Sequence, residues 1–567
     1  MASIRPYFLS TDHYGLVVST CDFLGIQKFI DERIPKTSNN QKLTYGQLFV
    51  CMLVNALSYV SKPLYLTPTF FKNVDIKTLF GDNFDISYLN DDALGRLLDK
   101  LYEADVSKLF LDLTMEAMKK LQRDVRCTHL DSTSFHLHGE KYNDPSFGEQ
   151  VHMNIDTVEN SDEKKAIKAE LGYSRDSHPE LLQVMLQMIT DSNGIPVYMK
   201  PQDGNTNDNT GFQTSFSIVK GLKDAINFKY LVADAALFTQ DNIKELETET
   251  EGGKKLLYIT RAPNKINAVK ELILKVKQEN KFEEITTDYS GRLTDFEYAG
   301  VKFKALCVIS KPSQGRIDKS IESKIKKEIE SVEGKINKLS RRKFSCEPDA
   351  KKEAEELTRK FKFVKIKAQC IRSEPVYKRG KRNEESQPVS YNYFVEMTIE
   401  RNEEAILLAK EEQSVFVIVT NDIESDWTAA QLLSDYKSQQ RVERGFRFLK
   451  DPQFFADSFF LKTPERIEAL LMVMVTSLFV YSSTEYIIRD KLKKQNKTLP
   501  NQTNKEVQNP TVRWIYSMFS NVGRYISSDN ESFCVGLTDF QQRTIELLGD
   551  NWLQMYRHFF NDSQNIN

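Results

Sequence analysis

Apolar residues recur three and four positions apart from about Leu16 to Gln122, as in Leu43, Leu48, Met52, Leu53 and Leu57 and again in Leu97, Leu98, Leu101, Leu109, Leu113 and Met118. That spacing gathers them on one face of a 3.6-residue helix and predicts an all-helical N-terminal domain. Asn90, Asp91 and Asp92 stand before ALGRLLDKLYEA and supply a helix cap. At Arg126 the period changes to two: CTHLDSTSFHLHG, ELLQVMLQMITD and IPVYMKP read as three successive antiparallel strands, the last two joined by the turn Ser192-Asn193-Gly194. An amphipathic helix around Gly211 to Leu222, the strand KYLVADAALF, the helix TQDNIKELE and the strand KLLYITRAP follow, which is a mixed α/β order.

From about Asn264 to Asn421, alternating segments (FEEITTDYSG, FEYAGVKFKALCVIS, FKFVKIKAQCIR, VSYNYFVEMTIE) enclose a long helical run. Ile317, Ile321, Ile325, Ile329, Val332, Ile336 and Leu339 form one apolar stripe along it, and Lys351 to Lys360 make a second helical piece; together they predict an antiparallel helical hairpin inserted among strands. YKRGKRNEESQP reads as an exposed loop, SVFVIVTND as a buried strand, and DWTAAQLLSDYKSQQRVERGFRFLKD as a single helix. Helical periodicity continues to the C-terminus, broken by KKQNKTLPNQTNKEVQNP, which reads as a linker. The longest apolar stretch, Ala469 to Tyr481, is shorter than the ~20 residues that span a bilayer and is expected to be a buried helix.

Length and composition fit this picture. A chain of 567 residues predicts several domains, and 40% hydrophobic with 28% charged residues suits a soluble fold rather than a disordered or fibrous one. The N-terminus has no basic region leading into an apolar segment, so a cytoplasmic protein with no membrane partner is expected. Seven scattered cysteines, without a CxxC pair, point away from disulfides and structural zinc. The net charge of -2 hides an uneven distribution: residues 313–382 hold 22 Lys and Arg against 11 Asp and Glu. A basic module is attached to an acidic body.

Three acidic residues stand in contexts that would hold them rigidly. Asp131 lies in the apolar-flanked strand THLDSTSF, Asp234 ends the strand KYLVADAALF, and Glu443 sits on YKSQQRVERGFRFLK among cationic and aromatic neighbours. A carboxylate in a buried strand is costly unless it is paired, protonated or bound to a cation. Carboxylates with no thiol or histidine set favour a hard cation such as Mg2+ or Mn2+, and two such ions can activate a hydroxyl and stabilise the leaving oxygen in phosphodiester displacement.

On these blocks the chain resembles DDE-type transposases of bacterial insertion sequences, in the insertion-sequence-four superfamily and most closely its sixteen-thirty-four group. The blocks are THLDSTSFHLHG, GYSRDSHPELLQV, GIPVYMKPQDGNTNDN, YLVADAALFTQDNI and the later helix. The superfamily's signature is Tyr-x2-Arg-x3-Glu-x6-Lys; Tyr436, Glu443 and Lys450 match it, and Gln439 stands where Arg is expected. Arg441 and Arg444 are near in sequence but lie on other helix faces, since each residue turns about 100°. The resemblance implies an RNase H-like core with Asp131 on the first strand, Asp234 on the fourth and Glu443 on a later helix, two Mg2+ or Mn2+ ions held by this trio, and a mainly β insertion domain before the helix. It also implies that Tyr436, Gln439, Lys450, Arg441, Arg175 and His178 meet DNA or phosphate.

The expected layout is a helical DNA-binding or dimerisation domain at 1–123, the first part of the core at 124–263, the insertion at 264–421, the second part of the core at 422–490, and a helical region at 491–567. His136 and His138 fall opposite Asp131 by strand alternation and read as a polar strand face. Asp203, Asn205, Asn207 and Asp208 lack the terminal Glu of a calcium loop and read as a turn, and Trp427 reads as a core residue beside the signature helix. Arg341, Arg342, Lys343 and KRGKR at 378–382 are expected to touch DNA. The function expected is a transposase, a homodimer on DNA, that cleaves its element's terminal inverted repeats and joins them to target DNA. The alternatives are a catalytically silent DNA-binding factor and an RNase H-fold nuclease without strand transfer.

Overall fold

A computed structural model describes residues 5–38, 41–59, 62, 66–122, 125–137, 166–172, 178, 180–206, 215–223, 228–358, 361–377, 379, 387–451 and 463–560. The chain forms two compact units, Met1–Ile259 with Ser434–Asn567, and Thr260–Leu433.

The first unit opens with a short strand, Tyr7–Ser10, and continues as helices that include Tyr14–Leu24, Tyr45–Ala56, Asp91–Glu103 and Val106–Leu121. Their starts follow side-chain chemistry: Asn90 accepts the Ala93 N–H at 2.9 Å, and Thr44 with Gln47 forms a capping box. A mixed sheet follows, built from β1 (Cys127–His136), β2 (Gln183–Asp191), β3 (Pro196–Gln202), β4 (Tyr230–Ala233) and the beginning of β5 (Leu257–Ala262). Its order is β3-β2-β1-β4-β5; β1 pairs antiparallel with β2 and parallel with β4, and β2 pairs antiparallel with β3. The β2–β3 turn falls where Ser192-Asn193-Gly194 predicts it. Asp191 Oδ1 accepts the N–H groups of Asn193 (2.7 Å) and Ile195 (3.1 Å), and Gly194 takes φ 81°.

Two family blocks meet beside β2. The backbone of Glu170 bridges Gln183, Gly204 N–H donates to Lys168 O at 3.0 Å, and a Cβ on Gly204 would lie 1.9 Å from Gln183 O and 2.7 Å from Glu170 O. Both obstacles are backbone, so Gly204→Ala is expected to destabilise the first unit by about 2 kcal/mol, read from the urea midpoint. An unchanged midpoint would show that this crossing is not maintained in solution.

The signature region forms two helices, α1 (Ala429–Lys437) and α2 (Gln440–Leu449), and the chain continues into the 31-residue α3 (Pro464–Lys494). α3 is long and apolar enough to cross a membrane, but 83% of its most apolar window is buried among the helices and sheet of the first unit. It is the core strut expected from Ala469 to Tyr481, extended at both ends by polar turns. KKQNKTLPNQTNKEVQNP is not a plain linker: Leu499–Pro500 pairs with Glu506–Val507 in a hairpin whose turn is held by Asn501. The terminal regions are not purely helical either, since Tyr7–Ser10 pairs with Gly523–Ile526, which pairs with Ser532–Cys534.

In the second unit, β6 (Glu283–Thr286), β7 (Tyr289–Tyr298), β8 (Val301–Ser310) and β11 (Val415–Thr420) lie in the order β11-β8-β7-β6, all antiparallel. A two-stranded ribbon joins β9 (Val364–Val376) to β10 (Ser390–Arg401). The predicted apolar stripe forms a 30-residue helix, Lys311–Ser340, yet its partner is not the second helix of a hairpin. Ile321 and Ile325 pack on Phe363, Ile406 and Ala409, whereas Ala350 and Ala354 of Glu347–Thr358 pack on Phe344 and Val395. Each helix buries its stripe on the ribbon or on Glu403–Ser414, because those surfaces offer larger apolar side chains than the alanines of the shorter helix.

Candidate active site

The parallel register of β1 and β4 ends at Leu130 opposite Ala233. Asp131 and Asp234 come next on the two strands, so both carboxylates leave the same sheet face from strands about 4.8 Å apart. Asp131 is buried and its Oδ1 accepts the Ser132 N–H at 2.8 Å. Asp234 is half-buried, and its Oδ1 caps the short turn Ala235–Leu237 through the Ala236 N–H at 3.0 Å. Each carboxylate is thus oriented by a backbone donor close in sequence.

Three contacts lay the signature helices along that face. His129 Nε2 is 3.1 Å from Ser438 Oγ, and Lys450 Nζ stands 5.8 Å from the ring centre of Phe135. Between them, a Cβ on Gly445 would lie 3.5 Å from Met188 Cε, and Met188 is the cross-strand partner of Asp131. His129, Asp131 and Phe135 alternate onto one face. The contacts follow the same order along Ser438–Lys450 as along His129–Phe135, so this segment accompanies β1. Val442, Gly445, Phe446 and Leu449 face inward, and Glu443 is exposed on the flank.

The continuous helix predicted from the spacing is broken. Ser438 and Gln439 form a turn between α1 and α2, where Ser438 Oγ donates to Asp435 O at 2.5 Å and Gln439 N–H turns back to Tyr436 O at 3.2 Å. A hydroxyl bonded to a carbonyl three residues back competes with the helical ladder. Gln439, in the signature's Arg position, is buried at this break rather than in line with exposed Glu443, while Tyr436 and Lys450 are half-buried. Asp435 also receives the Arg126 guanidinium at 3.0 and 3.2 Å, a brace from the last turn of α1 to the foot of β1. Burial, with the Asp435 carboxylate adding to it, pushes the Cys127 thiol up to about 12, so it remains a thiol at neutral pH.

The other candidates are distributed differently. His178 is exposed and bonds Glu180 at 3.1 Å; its ring packs 5.8 Å from His136, whose position alternates onto the face away from Asp131. Arg175, His138, Asn207, Asp208, Lys378 and 380–382 lie outside the described residues, as does the Arg441 side chain. Trp427 is buried and its indole donates to Asp422 O at 3.0 Å, a core role within the second unit. Asp203 holds the Lys168 N–H at 2.8 Å as part of a turn. Arg341 and Lys343 are exposed, whereas Arg342 is engaged by Glu353 at 2.8 Å and by the Phe344 ring. Sequence reasoning passed over Arg126, His129, Asp435 and Ser438, whose contacts join segments 309 residues apart and leave no local pattern.

A mixed sheet in this order, with the two carboxylates following paired parallel strands and a helix packed on the sheet, is consistent with an RNase H-like α/β core. Residues 124–480 match the family model described as Transposase DDE domain, well over half of the chain, and the protein belongs to that family. Residues 8–115 match a domain of unknown function, DUF4277. No curated protein matches the chain. Membership makes the protein a transposase with DNA as its substrate, in a family that normally uses divalent metal ions. The donor chemistry of Asp131 and Asp234 fits such an ion, being two adjacent hard oxygen donors. Among the described residues no three His, Cys, Asp or Glu side chains lie close enough to share one ion, so the exposed Glu443 is not gathered with the pair.

Proposed function

We propose that this transposase binds the terminal inverted repeats of its own insertion sequence, cleaves them with divalent metal ions and transfers the freed strands to target DNA, in the manner of the sixteen-thirty-four group of the insertion-sequence-four superfamily. The observation that carries the reading is the parallel register of β1 and β4, which ends at Leu130 opposite Ala233 just before Asp131 and Asp234, with the helix that bears Glu443 packed on the neighbouring β2 through Gly445 and Met188. Asp131 and Asp234 would hold the ions, and Glu443 would complete the donor set. Bound ions would activate the attacking oxygen and stabilise the leaving one. The chain's own work is to orient the two Asp carboxylates through the Ser132 and Ala236 N–H groups and to hold α2 against β1. Lys450 and Tyr436 would steady a phosphate, with Gln439 offering an uncharged hydrogen bond. Arg441, Arg175 and His178, together with exposed Arg341 and Lys343 of the second unit, would meet the DNA backbone, and two copies would pair the element's ends.

The test is metal-dependent cleavage and joining on labelled duplexes carrying the DNA that flanks the gene. Glu443→Gln keeps the side chain's shape and removes its charge; it is expected to lower cleavage at least about a hundredfold and leave duplex binding within threefold. The exposure of Glu443 favours one rival, a DNA-binding factor without catalysis. Equal absence of cleavage in wild type and variant, with specific binding retained, would establish that rival. Cleavage without joining would establish a nuclease instead.

A further inference from the structure

The segments that carry the three acids converge on Arg126, the residue before β1. Its carbonyl accepts the N–H groups of Lys229 (2.9 Å) and Tyr230 (3.0 Å) at the start of β4, and its guanidinium lies 5.5 Å from the Tyr230 ring centre. The same guanidinium donates from Nε and Nη2 to Asp435 Oδ2 at 3.2 and 3.0 Å, near the end of α1. One turn further on, Ser438 Oγ meets His129 Nε2 at 3.1 Å. The single hydroxyl proton of Ser438 goes to Asp435 O, so in this bond His129 donates and the Ser438 oxygen accepts. Tyr230, Arg126, Asp435, Ser438 and His129 thus form one connected set. Asp131 stands two residues beyond His129, Asp234 four beyond Tyr230, and Glu443 five beyond Ser438, in the first turn of α2.

We propose that Arg126 is a positioning residue of this transposase: with Asp435 and the His129–Ser438 hydrogen bond it forms a clamp that fixes α2, and with it Glu443, relative to the strands of Asp131 and Asp234. Folding stability alone does not explain the arrangement. The Arg126 side chain is 53% exposed, and ion pairs so open to water add little to stability. Placement explains it better. Strands and helices are stiff over two to five residues, so a shift at the clamp is carried to each carboxylate, and a misplacement of about 1 Å at a reacting centre costs on the order of a hundredfold in rate. Arg126 would act through the three acids, without touching the reacting atoms itself. The inference rests on the catalytic reading above and names the residues that hold its geometry.

The full chain is compared with Arg126→Gln, Arg126→Lys, Asp435→Asn and Ser438→Ala by single-turnover cleavage of end duplexes at saturating DNA, by duplex affinity, and by deuterium uptake of the peptide covering Gln440–Leu449. Arg126→Gln and Asp435→Asn are each expected to slow cleavage at least about tenfold, with affinity and urea midpoint unchanged. Uptake at Gln440–Leu449 should rise while uptake along α3 stays at the wild-type level. Arg126→Lys keeps a cation beside Asp435 and should recover most of the rate. The double variant Arg126→Gln/Asp435→Asn should lose no more than either single one, because residues that act through one contact are not additive. Ser438→Ala removes the partner of His129 and should loosen the same peptide. Cleavage by Arg126→Gln within about threefold of wild type, or unchanged uptake at Gln440–Leu449, overturns the proposal. So does a rate loss matched by a lower urea midpoint and by uptake rising throughout the first unit, which would make the residue one of stability alone. If wild type cleaves and the variants equal it, the clamp falls and the catalytic reading stands. If wild type does not cleave, the catalytic reading falls, and uptake decides the clamp: a local rise keeps it and no change removes it.

Discussion

Replacing Asp234 with Asn is expected to slow metal-dependent cleavage by about a thousandfold or more, roughly 4 kcal/mol of barrier, while the protein stays folded. The amide oxygen of Asn still accepts the Ala236 N–H, which Asp234 takes at 3.0 Å, so the turn Ala235–Leu237 keeps its cap. Only the anionic donor is removed. Asp131→Asn should behave alike, because its Oδ1 bond to the Ser132 N–H does not need the charge. Single-turnover cleavage of end duplexes, with circular dichroism as the fold control, provides the measurement. Activity within tenfold of wild type in either variant would remove that residue from the chemistry.

The largest loss of stability is expected from Phe479→Ala. Phe479 is wholly buried on α3, and its ring meets Phe110 edge to face at 6.4 Å and 84°. Deleting a buried phenyl ring removes its transfer energy and leaves a cavity, typically 3 to 5 kcal/mol together. The urea midpoint of the first unit should fall accordingly, with the slope unchanged. A loss below about 1 kcal/mol would mean that the core closes around the gap and that α3 is a looser strut than its burial implies.

The sequence made the carboxylate pair legible because strands leave a two-residue period and because a carboxylate among apolar neighbours is conspicuous. Cys127–His136 forms where that period predicts a strand, Tyr230–Ala233 forms within the apolar run KYLVADAALF, and the Ser192-Asn193-Gly194 turn follows from residues that tolerate its backbone. The long stripe of Ile317 to Leu339 likewise predicted a helix. What periodicity does not encode is the surface a stripe will cover: Ile321 and Ile325 chose Ile406 and Phe363 over a neighbouring helix. The break at Ser438 was hidden for the same reason. Its causes include His129, far away in sequence, while the apolar spacing runs through it undisturbed. Strands of two to four residues, such as Leu499–Pro500 and Tyr7–Ser10, are too short to establish a period at all. The position of Glu443 on a helix was readable, but its outward turn was not, since that depends on how Gly445 lets α2 settle against Leu478 and Met188.

The second unit is spliced into the chain between Asp234 and Glu443, and this sets a schedule for synthesis. About 200 residues separate the two acids. At 5 to 20 residues per second, a ribosome needs on the order of 10 to 40 s to make that stretch, during which the growing polypeptide already holds both aspartates but has no signature helix. The first unit cannot close until α3 has also emerged, because its core is built around that helix. A half-made polypeptide, or one cut short by a stop codon anywhere within Thr260–Leu433, therefore lacks the third acid and the strut together. If Glu443 belongs to the site as proposed, cleavage has to wait until the chain beyond Leu433 has been made.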